Sequence, residues 1–341
     1  MANLIHAHSA NDAWVQALDL LRTSPSATVT ESRGGRTTEL LHVIMTIGDP
    51  RQRWVFARHP AISPAFALAE AVWIISGRNE SDVLKFFNRD LAKYAGDGPT
   101  FYGAYGYRLR HHHDLDQLAM AYQSLLANPG SRQIVLQIWD AETDLPQSKG
   151  QPRSEDIPCN TQSMLRIQNG KLHWLQSMRS NDIFRGLPYN FVQFTTLHEI
   201  MAGWLALGLG DYTHVVSCLH YYHSDLVELE KTRAVPAISN TDSILCPKAE
   251  SDKAFAFLSN LISGVGTGFD QIVVLAEQLD SSAHAIAFKN MGNVILAEAA
   301  RRHNHLEFVP SRLSRVSNPC LQELANRWFT KFANIQTSKL V

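Results

Sequence analysis

A chain of 341 residues has room for two ordinary domains or one large one. Its 31 basic and 32 acidic side chains nearly cancel, which excludes nucleic-acid binding by bulk charge. No run of 18 apolar residues predicts a membrane span, the opening Met1–His6 lacks the features of a secretory leader, and the irregularly spaced Cys159, Cys218, Cys246 and Cys320 suit a reducing cytoplasm.

Asn11 reads as the N-cap of an amphipathic helix carrying Trp14, Ala17, Leu18 and Leu21. Residues 29–37 are polar and glycine-rich and predict a loop before a strand over 39–47. Ala65–Ser76, whose single charge is Glu70, predicts a buried helix. A further helix over 84–95 ends where Gly96-Asp97-Gly98-Pro99 opens a loop carrying Tyr102 and Tyr105. After a helix near 115–127 and the Asn128-Pro129-Gly130 turn, Gln133–Trp139 reads as a strand. Asn169-Gly170 joins two alternating runs, 161–167 and 172–176, which is a strong hairpin signal. Pro188 opens a long helix that stops at Gly208 and Gly210, and Tyr212–Tyr222 is another strand. From Asp252 to His305 the pattern is helical, broken at Gly264–Gly268. The fold class is α+β: a strand-rich, helix-wrapped domain over 1–240 with a mostly helical region over 241–341 packed on it.

Two motifs carry little chemistry. Gly264-Val265-Gly266-Thr267-Gly268 follows a helix pattern rather than a strand, so it predicts a helix connection and no nucleotide loop. Adjacent residues on a helix or strand cannot all face one ion, so His111-His112-His113 predicts no metal site. Cys218, Cys246 and Cys320 read as small buried hydrophobes. Cys159 differs, because it sits at the mouth of the hairpin, where cations can lower a thiol's pKa and make it a nucleophile. Arg179 and Ser180 close that hairpin and form a natural oxyanion pair. Asn190, at a helix start, offers a donor and an acceptor to a heterocycle's edge.

The ordered string Pro-Cys159, Arg179-Ser-Asn-Asp182, Gly186-Leu-Pro-Tyr-Asn190 and Leu-His220-Tyr-Tyr222 resembles the thymidylate synthase superfamily, including its pyrimidine-nucleotide hydroxymethylase branch. The resemblance covers residues 15–225 and is dense from 128 to 225. It implies a large mixed sheet, a homodimer with shared active sites, and transfer of a one-carbon unit from 5,10-methylenetetrahydrofolate to C5 of a pyrimidine nucleoside monophosphate, with no metal. By resemblance Cys159 adds to C6 of the base. Arg33, Arg179 and Ser180 bind the 5′-phosphate, and Arg132 reaches the phosphate of the neighbouring subunit. Asn190 reads the base edge, while His220 and Tyr222 hold the sugar. Glu70 and Tyr105 manage protons, and Asp182 with Gly186 meets the folate.

Departures from the family pattern bear on the product. Residues 80–100 hold Phe86, Phe87 and Tyr94 but no tryptophan to keep water from the exocyclic methylene, and Asn160 stands where methylases carry histidine. These favour hydroxymethylation over the methylation of a true thymidylate synthase; a silent nucleotide-binding homologue is the alternative from another class. Gln133 replaces a second phosphate arginine, for which Arg36 or Arg185 are the nearby substitutes. Asn190 matches the uridylate enzymes, where cytidylate hydroxymethylases carry aspartate, yet a flipped amide also meets cytosine. The base and the sugar stay open at this stage.

Overall fold

The computed structural model describes residues 2–147 and 150–332; the tail of the region expected to be helical, 333–341, lies outside them. Among the described residues one mixed sheet holds eight strands: β1 (Asn3–Ala7), β2 (Thr28–Ser32), β3 (Gly35–Ile47), β4 (Val135–Gln137), β5 (Asn160–Gln168), β6 (Lys171–Met178), β7 (Asn181–Asp182) and β8 (Gly208–Tyr222). Their order is β1-β3-β8-β6-β5-β4, with β2 on β3 and β7 on β8. The long antiparallel β3–β8 pair forms the spine, and β6 runs parallel to β8. Asn169 and Gly170 both take positive φ, as a tight two-residue hairpin demands, and they set β5 against β6.

Helices stack on one face of the sheet. Helix Ala10–Thr23 buries Trp14, Ala17, Leu18 and Leu21, the predicted stripe. Helix Leu187–Trp204 is buried on nearly every side because it lies between the sheet and helix Pro64–Ile75. Helices Lys248–Gly264, Ile286–Arg302 and Pro319–Phe329 then cover Pro64–Ile75 from outside. One hydrophobic core runs from Ile5 to Leu324 without a seam at residue 240. Glu199 fastens the two stretches, since it pairs with Arg53 and accepts from Ser243 Oγ at 3.1 Å and Ile244 N at 3.0 Å. On the sheet's other face the cross-strand row Thr46, Thr213, Leu175, Met164 and Val135 stays exposed or half-exposed. Among the described residues no helix is long and apolar enough to cross a membrane.

Several local expectations change. The N-cap of the first helix is Ser9, whose side chain accepts from Asp12 N. Asn11 instead lies buried, and its Oδ1 accepts from Phe56 N and Ala57 N, both at 2.9 Å. The expected loop over 29–37 is a hairpin of β2 and β3 that turns at Arg33-Gly34, because a polar, exposed strand pair shows no apolar alternation. The expected 84–95 helix is shorter pieces, Ser81–Phe87 and Ala92–Ala95, with Asn88 extended between them. Tyr105 opens a short helix, Tyr105–Arg110, rather than lying in a loop. Gly264–Gly268 is a helix connection, as expected.

Candidate active site

The hairpin builds the thiol's surroundings. Because Asn160 pairs with Met178, the next residues out, Cys159 and Arg179, face one another, and Arg179 N donates to Cys159 O at 2.9 Å. The Arg179 guanidinium donates to the carbonyls of Pro158 and Ile157, both at 2.9 Å, and lies 3.9 Å from Cys159 Sγ. Burial pushes the thiol's pKa up; Arg179 and Arg33 oppose that rise, and Asp156 and Asp182 reinforce it. Arg33, at the exposed hairpin tip, donates to Glu155 O at 3.0 Å.

A second wall comes from Glu70 and Tyr105. A Cβ on Gly106 would stand 2.2 Å from Ile74 O, so only glycine lets the two helix backbones come this close. That approach brings Tyr105 beside Glu70. Burial drives the Tyr105 hydroxyl's pKa well up, reinforced by Cys159 and opposed by the nearby Asn160 side chain. Burial likewise raises the Glu70 carboxyl to about 7, opposed by the Gln193 side chain. Glu70 Oε2 and Asn160 Nδ2 are enclosed without a partner among the described residues.

The third wall follows β6. Asp182 Oδ1 accepts from Phe184 N at 2.7 Å and Arg185 N at 2.8 Å, while Oδ2 is enclosed without a hydrogen-bond partner among the described residues, with Arg185 Nε 4.0 Å away. Burial pushes this carboxyl up as well. Gly186 precedes the long helix and packs against the amides of Asn181 and Asn190. Asn190 Oδ1 accepts from Asn181 Nδ2 at 2.8 Å, and its Nδ2 donates to Gln193 Oε1 at 2.9 Å. Ser180 Oγ lies 3.4 Å from His220 Nδ1, and the His220 ring meets Tyr222 edge-on at 5.4 Å. Tyr222 lies against Gly34, where a Cβ would come 2.7 Å from its ring, so the Arg33 hairpin closes onto the His220 and Tyr222 side of the site.

The structure thus gathers Glu70, Tyr105, Cys159, Arg179, Ser180, Asp182, Gly186, Asn190, His220 and Tyr222, with Arg33 at the rim. Arg132 stands apart, exposed at the foot of β4. Arg185, one of the two substitute cations, is held by Asp225 at 2.8 Å and 3.0 Å and by the Tyr94 hydroxyl at 2.7 Å. Cys218 is half-buried rather than a buried hydrophobe and donates to Glu39 Oε2 at 3.4 Å, with its pKa raised to about 12 mainly by burial. His112, His113 and Asp140 do converge, with ligating atoms within 4.8 Å, because 111–113 is a turn rather than a helix or strand. The direct 2.8 Å contact of His112 Nε2 with Asp140 Oδ2 accounts for that convergence without an ion. Sequence reasoning gave no role to Asp156, Asn181, Gln193 and His214; the one signal was that Gln193 follows Asn190 by one helical turn.

A half-buried hairpin cysteine beside an arginine, with a protonatable carboxyl and a base-sized amide pair opposite, defines a class that comparison makes concrete. The chain belongs to the thymidylate synthase family, whose model matches residues 53–325. It is 32% identical over 220 residues to a deoxyuridylate hydroxymethyltransferase of Bacillus phage SP01, covering 61% of this chain and 56% of that protein. It is 35% identical over 179 residues to a deoxyuridylate hydroxymethyltransferase of Pseudomonas phage M6, covering 52% and 50%. A putative thymidylate synthase of Methanosarcina barkeri is 25% identical over 227 residues, covering 66% of this chain and 92% of that protein. The matches thus span about half the length of the phage relatives.

Proposed function

We propose that this chain hydroxymethylates a pyrimidine nucleoside 5′-monophosphate at C5, with deoxyuridylate as its substrate and 5,10-methylenetetrahydrofolate as the one-carbon donor. The observation that carries the reading is the convergence of Cys159, Arg179, Glu70, Tyr105 and Asn190 around enclosed, unpartnered polar atoms. A pyrimidine C5 is not nucleophilic until C6 is saturated. The Cys159 thiolate, favoured by Arg179 and Arg33, forms the bond to C6, and Asn190 stabilises the charge that develops on the base edge. The folate supplies the methylene that C5 captures. Glu70, titrating near neutrality, and Tyr105 then relay the C5 proton away as the bond from the methylene to the folate nitrogen breaks and tetrahydrofolate leaves. Water adding to the resulting exocyclic methylene gives the hydroxymethyl group, and Cys159 leaves.

The unpartnered Asp182 Oδ2 and Glu70 Oε2 fit a ligand that brings N–H donors, as a pterin does. Access of water is supported by where the aromatics of 80–100 are used. Phe86 packs on Phe87 and His303, and Tyr94 is bound by Arg185, so neither is committed to shielding the methylene. The chemistry-bearing residues all fall within 1–240, and the helices described between 248 and 329 buttress the helix that carries Glu70. The half-exposed face of the sheet supports a homodimer, in which Arg132 reaches the partner's phosphate. Four free cysteines support a cytoplasmic setting.

The test is product mass. The protein is incubated with methylenetetrahydrofolate and each of dUMP, dCMP, UMP and CMP. A gain of CH2O on dUMP is expected. A gain of CH2 makes the chain a thymidylate synthase, and no gain on any nucleotide makes it a binding homologue.

A further inference from the structure

The amide of Asn190 is one link in a buried chain of side chains that crosses the molecule. The Tyr212 hydroxyl lies 2.8 Å from His214 Nδ1, and His214 Nε2 lies 3.0 Å from Asn181 Oδ1. Asn181 Nδ2 donates to Asn190 Oδ1 at 2.8 Å, and Asn190 Nδ2 donates to Gln193 Oε1 at 2.9 Å. Beyond Gln193 stands Glu70, whose carboxyl feels that amide. All five residues from Tyr212 to Gln193 are buried, so water cannot exchange for any link.

Such a chain has a polarity. Gln193 turns its Oε1 to Asn190. Asn190 must then turn its Nδ2 to Gln193 and its Oδ1 to Asn181, and Asn181 its Oδ1 to His214. A neutral imidazole transmits the polarity, because one nitrogen donates while the other accepts; His214 is held neutral by burial, with its pKa lowered to about 3. No single amide can flip without setting donor against donor or acceptor against acceptor at both of its neighbours. Each unmatched buried pair would cost about 1–3 kcal/mol.

We infer that this chain locks the Asn190 amide in one orientation, and that Asn181, Gln193, His214 and Tyr212 are positioning residues that make the site read one pyrimidine and reject the other. Uracil offers O4 as acceptor and N3–H as donor, and cytosine exchanges those roles at the same two positions. A rotatable asparagine serves both bases, whereas a locked one serves one of them. The inference rests on Asn190 being the base-reading side chain, as proposed above, and it assigns the discrimination to residues that do not touch the base.

The experiment measures dissociation constants and kcat/KM for dUMP and dCMP with the full chain and with Asn181→Leu, Gln193→Leu and Tyr212→Phe. Merely structural damage lowers both nucleotides together and leaves their ratio alone. The expected result is that Asn181→Leu and Gln193→Leu each reduce the dUMP-to-dCMP preference at least tenfold, chiefly through gained dCMP binding, and that the milder Tyr212→Phe, which keeps the ring packing, reduces it severalfold. A preference within twofold of the unaltered protein in all the folded variants overturns the inference, as does an unaltered protein that binds both nucleotides equally. Failure of the unaltered protein to bind either nucleotide overturns the reading of Asn190 itself, and the inference with it.

Discussion

Two groups of carboxylates show opposite habits. In the scaffold, Glu298 takes Arg301 at 2.6 Å, Arg302 at 2.8 Å and Trp328 Nε1 at 3.0 Å, and Glu199 pairs with Arg53 and accepts from Ser243 and Ile244. Around Cys159, Glu70 and Asp182 each keep one enclosed oxygen without a partner among the described residues. An enclosed polar atom left unsatisfied costs about 1–3 kcal/mol, a cost that a bound ligand can remove. Paired buried carboxylates therefore mark what holds the layers together, and unpaired ones mark where chemistry is done.

The largest expected effect is at the nucleophile. Cys159→Ala should reduce turnover by about 10^4-fold or more while leaving the dUMP dissociation constant within a few-fold, read by product mass and calorimetry. Undiminished turnover would remove the thiol from the mechanism. Next comes the scaffold: Glu199→Ala leaves Arg53 buried and unpaired and should cost about 3–5 kcal/mol of stability in urea unfolding.

Glu70→Gln should do the reverse for stability while lowering kcat about 10^2-fold or more. Its folded carboxyl titrates near 7 against 4.5 when free, so between those pH values the native state holds a proton that the unfolded chain has lost. Stability from this group is full below pH 4.5, falls as pH rises through the window, and is level above 7. The shift limits the effect to about 3 kcal/mol, so Glu70→Gln should be about 1–3 kcal/mol more stable than the unaltered protein at pH 8 and equal to it at pH 4. Lower stability of the Glu70→Gln variant at pH 8 would break the contrast between the two groups. The smallest effect expected is for Gly106→Ala, which forces the Tyr105 and Glu70 helices apart; it should cost about 1–3 kcal/mol and lower kcat more than it raises KM.

Much of the site was legible because it is local. An Asn-Gly turn between two alternating runs fixes a register that brings Cys159 to the Arg179-Ser180 pair, and a bulge between Asn160 and Gln162 then sets it opposite Arg179. The β2–β3 hairpin was not legible, since exposed polar strands such as Thr28–Ser32 carry no apolar alternation. Convergence of the histidines at 112 and 113 escaped for a related reason: a turn has no fixed side-chain period.

By itself, the sequence determined which strands and helices carry Cys159, Arg179, Glu70 and Asn190, because periodicity, turn residues and helix breakers act over a few neighbouring positions. Only the tertiary structure decided that Gly106 brings Tyr105 to Glu70, and that Asn181, on a short strand against β8, meets Asn190 on a helix and His214 within β8. The physical reason is the range of the forces involved. A hydrogen bond acts within about 3 Å, and which buried donor finds which acceptor is settled only when the layers that carry them close.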